Sequence, residues 1–115
     1  MENFRDFLKS VEYFKDLDDR EIKLLNDVCR RETYAADSIV IAEGTSRDNF
    51  YIIQNGSVNI YKRFHQPDRS LLAELGRGDL FGELSFIDDQ PRSATVVTNV
   101  ASQMLTCLLY TSDAA

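Results

Sequence analysis

The stretch Phe81–Thr95, FGELSFIDDQPRSAT, decides how the chain is read. Gly82 can take backbone angles and close approaches that a side chain forbids. Glu83, Leu84, Ser85, Phe86 and Ile87 read as one or two turns of helix, with an acid suited to the positive end of the dipole. The free N–H groups of such a first turn point outward and can hold an anion. Pro91 stops a helix and sets an extended approach. Arg92 follows at once, and Ala94–Thr98 (ATVVT) has the composition of a strand. A helix N-terminus and an arginine can therefore converge on one spot. Oriented amides and a planar fork of donors together hold a phosphate. Glu83, nine residues before Arg92, would repel that phosphate, so it should face a hydroxyl donor such as a ribose 2′-OH.

These residues resemble the phosphate-binding cassette of the cyclic nucleotide-binding domain family, as in cAMP-receptor-like regulators and protein kinase A regulatory subunits. The family motif runs Phe-Gly-Glu, a short helix, then Pro-Arg, a small residue and Ala. Here those positions are Phe81, Gly82, Glu83, Pro91, Arg92, Ser93 and Ala94. Taken singly, Arg92 reads as a surface ion pair with Asp88 or Asp89, usually worth little, and Glu83 as a helix-capping acid. Their order and spacing carry the resemblance. It implies that Arg92 and the amides near Ser85 and Ala94 hold a cyclic phosphate. Gly82 permits the approach, Leu84 lies in the binding turn, and Glu83 holds the ribose. Ser93 bears on selectivity: family members that bind cAMP often have Ala there, and cGMP binders often Thr. Ser occurs in bacterial cAMP-responsive regulators, and its hydroxyl could reach the phosphate or a base edge. The expected ligand is cAMP, with cGMP as the alternative. Strand alignment offers Ile60, Leu72 and Ala73 as packing for the base, and each reads equally as ordinary core.

Working outward, Phe4, Phe7, Leu8, Val11 and Phe14 fall at helical spacing and predict one amphipathic helix within Glu2–Leu17. Asp18, with Glu21 three residues on, predicts a capping box opening a second helix over about Asp19–Arg30. After Arg31 the pattern alternates. Strands are predicted at Glu32–Ala35, Ser38–Ala42, Asn49–Gln54, Ser57–Arg63, Ser70–Leu75, Ala94–Thr98 and Ala101–Leu108. Asn55-Gly56 is a hairpin signal in which both residues would take positive φ. Gly76-Arg77-Gly78-Asp79 reads as a tight corner leading into the cassette. The pattern predicts a mainly β fold, an antiparallel barrel or jelly roll. The family resemblance implies a β-roll (a double-stranded β-helix) with flanking helices and a short cassette helix inside. It further implies that the N-terminal helices move with ligand state.

With 115 residues the chain is long enough for one domain and too short for two. Its net charge of −6, from 13 basic and 19 acidic residues, argues against nucleic acid as the partner of this stretch. A small anion needs only a local positive pocket. Cys29 and Cys107 form no metal-like cluster and no disulfide framework, which fits a reduced cytoplasmic setting. The N-terminus lacks a signal-peptide pattern and no apolar run reaches membrane-spanning length. His65 is the only histidine and lies in a polar loop, so no metal set and no nucleophile–base pair can be assembled around it. Asp88-Asp89 is explained by turn chemistry before Pro91. No catalytic residue and no metal ligand is therefore expected.

The reading is a regulatory domain over residues 1–107 that binds a cyclic nucleotide and transmits occupancy to an attached or partner module. Two rivals accompany it: the sensory half of a truncated transcription regulator, and a ligand-free β-roll scaffold. The pair Glu83 and Arg92 speaks against the scaffold, which needs neither. The tail Cys107–Ala115, CLLYTSDAA, resembles a translated sequencing adaptor, so residues 108–115 are expected to be non-native and the family's C-terminal lid helix to be lacking. That stretch is expected to contribute nothing to the pocket and little to the fold. Deletion of Leu109–Ala115 should leave the melting temperature nearly unchanged in a thermal scan, and a large drop would show that the tail packs as a real element.

Overall fold

A computed structural model describes residues 3–44, 49–82 and 94–108 of the chain. Helix α1 spans Arg5–Ser10, a single 3-10 turn covers Glu12–Phe14, and α2 spans Asp19–Val28. The strands are β1 (Cys29–Tyr34), β2 (Ile39–Ile41), β3 (Asn49–Asn55) and β4 (Val58–Lys62), then β5 (Ser70–Leu75), β6 (Leu80–Phe81), β7 (Thr95–Thr98) and β8 (Ser102–Leu108).

The single helix expected within Glu2–Leu17 is broken. Val11 takes extended angles, φ −79° and ψ 128°, while its N–H still bonds the Leu8 carbonyl at 3.2 Å. The break has a packing cause: Leu8 and Val11 are both buried in one cluster, with Phe14 and Leu17 packed at its margin. A straight helix would carry the later residues off that surface. α2 opens as predicted. Asp18 accepts from the Glu21 amide at 2.8 Å, and Glu21 accepts from the Asp18 amide at 3.0 Å. It stops at Val28 rather than Arg30, because Cys29 already pairs with Cys107 in a ladder running to Tyr34–Ser102. Long-range pairing outweighs the local helical pattern here, and β1 begins three residues before the strand expected at Glu32.

The strands form two antiparallel sheets, ordered β1-β8-β3-β6 and β2-β7-β4-β5. Between the sheets lie Ile41, Tyr51, Ile53, Val58, Phe81, Val96 and Met104. On the outer face of the first sheet lie Phe50, Ile52, Leu105 and Cys107, covered by Phe4, Leu8, Val11 and Ile22 of the helical segment. Successive side chains of β3 therefore enter different cores, and its first five residues are all buried. This is the predicted β-roll with flanking helices. β6 is an addition, since the sequence predicts no strand at Leu80 and makes Phe81 the first residue of the cassette. It forms because Leu80 and Phe81 meet Ile52 and Tyr51 across the sheet edge.

β8 runs through Leu108 and corrects the expectation for Cys107. That residue is fully buried and pairs with Phe50 as well as Cys29. The two thiols are unlinked, with their Sγ atoms 2.7 Å apart. Contact with Cys29 and burial both push the Cys107 thiol upward, so it stays protonated. Leu109–Ala115 lie outside the described residues.

The Asn55-Gly56 hairpin is present, but only Gly56 takes positive φ, at 106°. Asn55 stays extended as the last residue of β3. A Cβ on Gly56 would lie 2.1 Å from the Ser102 Oγ, so glycine is required by space as well as by angle. Gly56→Ala should cost about 1–3 kcal/mol, read as a lowered midpoint in urea denaturation. A midpoint unchanged from the parent would contradict this account of the turn.

Candidate functional site

The approach to Gly82 is built by the corner at Gly76–Asp79. Asp79 accepts from the Gly76 amide at 2.9 Å, and its own amide donates to the Gly76 carbonyl at 3.0 Å. The Gly78 amide donates to the Ile53 carbonyl at 2.8 Å, and the Ile53 amide donates to the Asp79 carbonyl at 3.0 Å. The corner is thus closed on itself and tied to β3 by main-chain bonds, which suits the tight turn expected from its two glycines. β6 continues from it. Phe81 lies flat on Tyr51, with ring centroids 5.0 Å apart and planes 7° apart. Gly82 follows at φ 91°, in the left-handed region that favours glycine.

Ala94 is half-buried and immediately precedes β7. All four residues of β7 are buried. Thr95 accepts from the Glu43 amide at 3.1 Å. The Glu43 carboxylate accepts from the Arg63 amide at 3.2 Å and pairs with Lys62 at 3.8 Å. At the far end of β7, Thr98 donates to the Ala35 carbonyl at 2.7 Å and accepts from the Ser38 amide at 2.8 Å. Gly82 therefore leaves an edge strand of one sheet, and Ala94 joins an interior strand of the other. Both ends are held by hydrogen bonds from distant parts of the chain.

Of the predicted site residues, Gly82 and Ala94 stand at these two ends. Glu83, Leu84, Ser85, Arg92 and Ser93, with the cassette helix, lie outside the described residues. Ile60 and Ala73 are direct cross-strand partners, and Ile60 packs on the cluster between the sheets. Leu72 is separated from them. The register slips between Ile60 and Tyr61, leaving Leu72 without a partner in the ladder and 55% exposed. His65 is exposed, edge-on to Phe64. Glu43 and Tyr51 were not read from sequence as parts of this region. The Glu43–Thr95 contact spans 52 residues, so no local pattern could have announced it. Among the described residues no group of three or more His, Cys, Asp or Glu is placed to hold a metal ion. Tyr34, packed against the inter-sheet cluster, has its phenol pushed well above the usual range by burial and by its hydrogen bond to Glu32.

Residues 31–107 match the family model described as the cyclic nucleotide-binding domain. The chain belongs to this family. The match covers every strand except the first two residues of β1 and the last of β8. A cAMP-dependent protein kinase regulatory subunit from Candida albicans is 37% identical over 93 residues, covering 81% of this chain and 19% of the relative. The cGMP-dependent protein kinase, isozyme 1, of Drosophila melanogaster is 32% identical over 115 residues, covering 98% of the chain and 15% of the relative. The domain thus spans a fifth or less of these curated relatives. The regulatory domain of Toxoplasma gondii protein kinase A, solved with cAMP, superposes with a TM-score of 0.85 at 28% identity, over 91% of this chain and 41% of that one. The β-roll and its leading helices are therefore those of a cyclic nucleotide-binding regulatory domain, homologous to the regulatory regions of these kinases. Among the described residues no helix is long and apolar enough to cross a membrane.

The tie at the start of β7 can be tested without touching the cassette. Thr95→Val keeps shape but removes the acceptor for the Glu43 amide. It should lower stability by about 1 kcal/mol, as for a typical intramolecular hydrogen bond, measured by denaturant titration. An unchanged midpoint would mean that the bond contributes nothing to holding β7.

Proposed function

We propose that this domain binds cAMP between Gly82 and Ala94 and passes occupancy to a module elsewhere in a longer protein. The observation that carries the reading is the motif itself. Phe81-Gly82-Glu83 and Pro91-Arg92-Ser93-Ala94 stand at family spacing, between two backbone ends fixed to opposite sheets. In this reading Arg92 and the amides near Ser85 and Ala94 hold the cyclic phosphate. Glu83 takes the ribose 2′-OH, Gly82 allows the close approach, and Leu84 completes the turn. Ile60 and Ala73 offer an apolar wall to the base, and Leu72 joins them only if ligand covers its exposed face. The domain is regulatory and not catalytic, works in the cytoplasm, and uses no nucleic acid or metal. Its effector is a partner protein or an attached module.

The choice of cAMP rests on Ser93 and on the named ligand of the Toxoplasma gondii structure. The two curated relatives point to different nucleotides by name, at similar identity. Overall likeness therefore does not choose between them, and the pocket chemistry must.

Calorimetry with cAMP, cGMP and 2′-deoxy-cAMP tests the reading. The parent should bind cAMP and discriminate against the deoxy ligand. Arg92→Ala removes one partner of a desolvated charge pair, a loss of roughly 2–5 kcal/mol. At about 1.4 kcal/mol per tenfold this weakens binding by some thirty- to several-thousandfold. Glu83→Ala should cost less, since its partner is a neutral hydroxyl, and should erase the preference for the ribose. An Arg92→Ala protein that binds like the parent would sink the cassette assignment. A Glu83→Ala protein that still rejects the deoxy ligand would remove only the ribose role.

A further inference from the structure

Two arginines fasten α1 to the barrel, and one of them belongs to the corner that delivers the chain to Gly82. The Arg77 guanidinium lies 4.9 Å from the centroid of the Phe7 ring in α1. The same group donates to the Gln54 carbonyl at 2.5 Å. The Gln54 side-chain oxygen accepts from Arg31 Nε at 3.3 Å, and Arg31 lies over Phe4 at 5.5 Å. The main-chain amide of Phe4 donates to buried Asn26 of α2 at 2.6 Å. Phe4, Arg31, Gln54, Arg77 and Phe7 thus form one continuous bridge around the first turn of α1. Its middle member sits on β3, one residue beyond the Ile53 that carries both main-chain bonds to the corner.

The geometry points to Arg77 as a positioning residue that couples the seating of α1 to the segment entering the ligand site. This rests on the ligand reading above and adds to it a route. Arg77 stands five residues before Gly82, on a corner whose closed hydrogen bonding makes it move as a unit. A ligand that shifts Gly82 must carry β6 and that corner with it, or break the bonds to Ile53. Either way the guanidinium changes position relative to Phe7. Arg77 is also exposed, so its ring contact is of the weaker, solvated kind. That suits a coupling element: a contact far stronger than the ligand's differential affinity for two states could not be switched by it. By reciprocity, whatever seats or unseats α1 then alters ligand affinity by the same factor.

The test uses the full chain, with hydrogen exchange at the α1 amides followed with and without saturating cAMP. The parent should show a change in α1 exchange of about fivefold or more, the lower range of ordinary allosteric coupling. Arg77→Ala and Phe7→Leu should each bind cAMP yet show no ligand-dependent change in α1. Should Phe7→Leu unfold, Arg77→Lys probes the same contact, keeping charge but losing the planar stack, and should give a reduced response. An α1 that responds in Arg77→Ala as it does in the parent overturns the coupling. So does a parent that binds cAMP with α1 unmoved. A parent that binds neither cAMP nor cGMP overturns the ligand reading, and the coupling falls with it.

Discussion

Strand β3 has water on neither face along its buried run, and the rest of the domain follows from that constraint. Phe50 and Ile52 must be covered from outside, Tyr51 and Ile53 from inside. A two-layer roll covers only the inside. The outer face therefore requires the helical segment, and the broken helix at Val11 is the shape that lets Phe4, Leu8 and Val11 reach it together. Covering these side chains is worth roughly 1.5–3 kcal/mol for each large apolar one. A single hydrogen bond at the Val11 break is worth about 1 kcal/mol. Packing therefore wins over helix continuity.

The same strand explains why helices and site belong to one mechanical unit. β3 pairs with β8, which holds β1 and through it the end of α2. It also pairs with β6, the last element before Gly82. Tyr51 supports Phe81 from within the roll while Phe50 and Ile52 support the helices from without. A change of position at either end meets the same seven residues. Close packing passes such displacements on instead of absorbing them.

Much of this was legible in the sequence, and the failures share a cause. The capping box at Asp18 and Glu21, the bounds of Ser70–Leu75, and the roll itself all come from local signals: a side chain three residues from its partner, or alternation along an exposed edge strand. β5 reads cleanly because it lies at the rim with one face wet. β3 shows no alternation in burial because both faces are covered. The early end of α2 and the start of β1 at Cys29 depend on Cys107, seventy-eight residues away. The existence of β6 depends on Tyr51. No window of local sequence contains those partners. The site follows the same rule. The cassette was recognisable because its chemistry is contiguous. Its supports, Glu43 on Thr95 and Ile53 on the corner, were not, because each is a meeting of remote segments. Leu72 lies apart from Ile60 and Ala73 for a subtler reason. A bulge at Ile60–Tyr61 shifts the ladder by one residue, and a one-residue slip changes which face a side chain serves.

A net charge of −6 on a domain that takes an anion looks contradictory until distance is considered. At physiological ionic strength fields fade over about 8 Å, so distant exposed acids scarcely reach a phosphate held, as proposed, by Arg92 and a few amides. Several are already neutralised locally: Lys9 with Asp19, Lys15 with Glu12, Lys23 with Asp27, and Arg63 with Asp68. These pairs are exposed and add little to stability. The acidic surplus should then slow the approach of any polyanion, such as nucleic acid, whose charge extends over many Debye lengths. A ligand with a single negative charge is hardly affected. Global acidity and the arginine of the proposed site would therefore act in the same direction, toward selecting a small monoanion over a long polyanion.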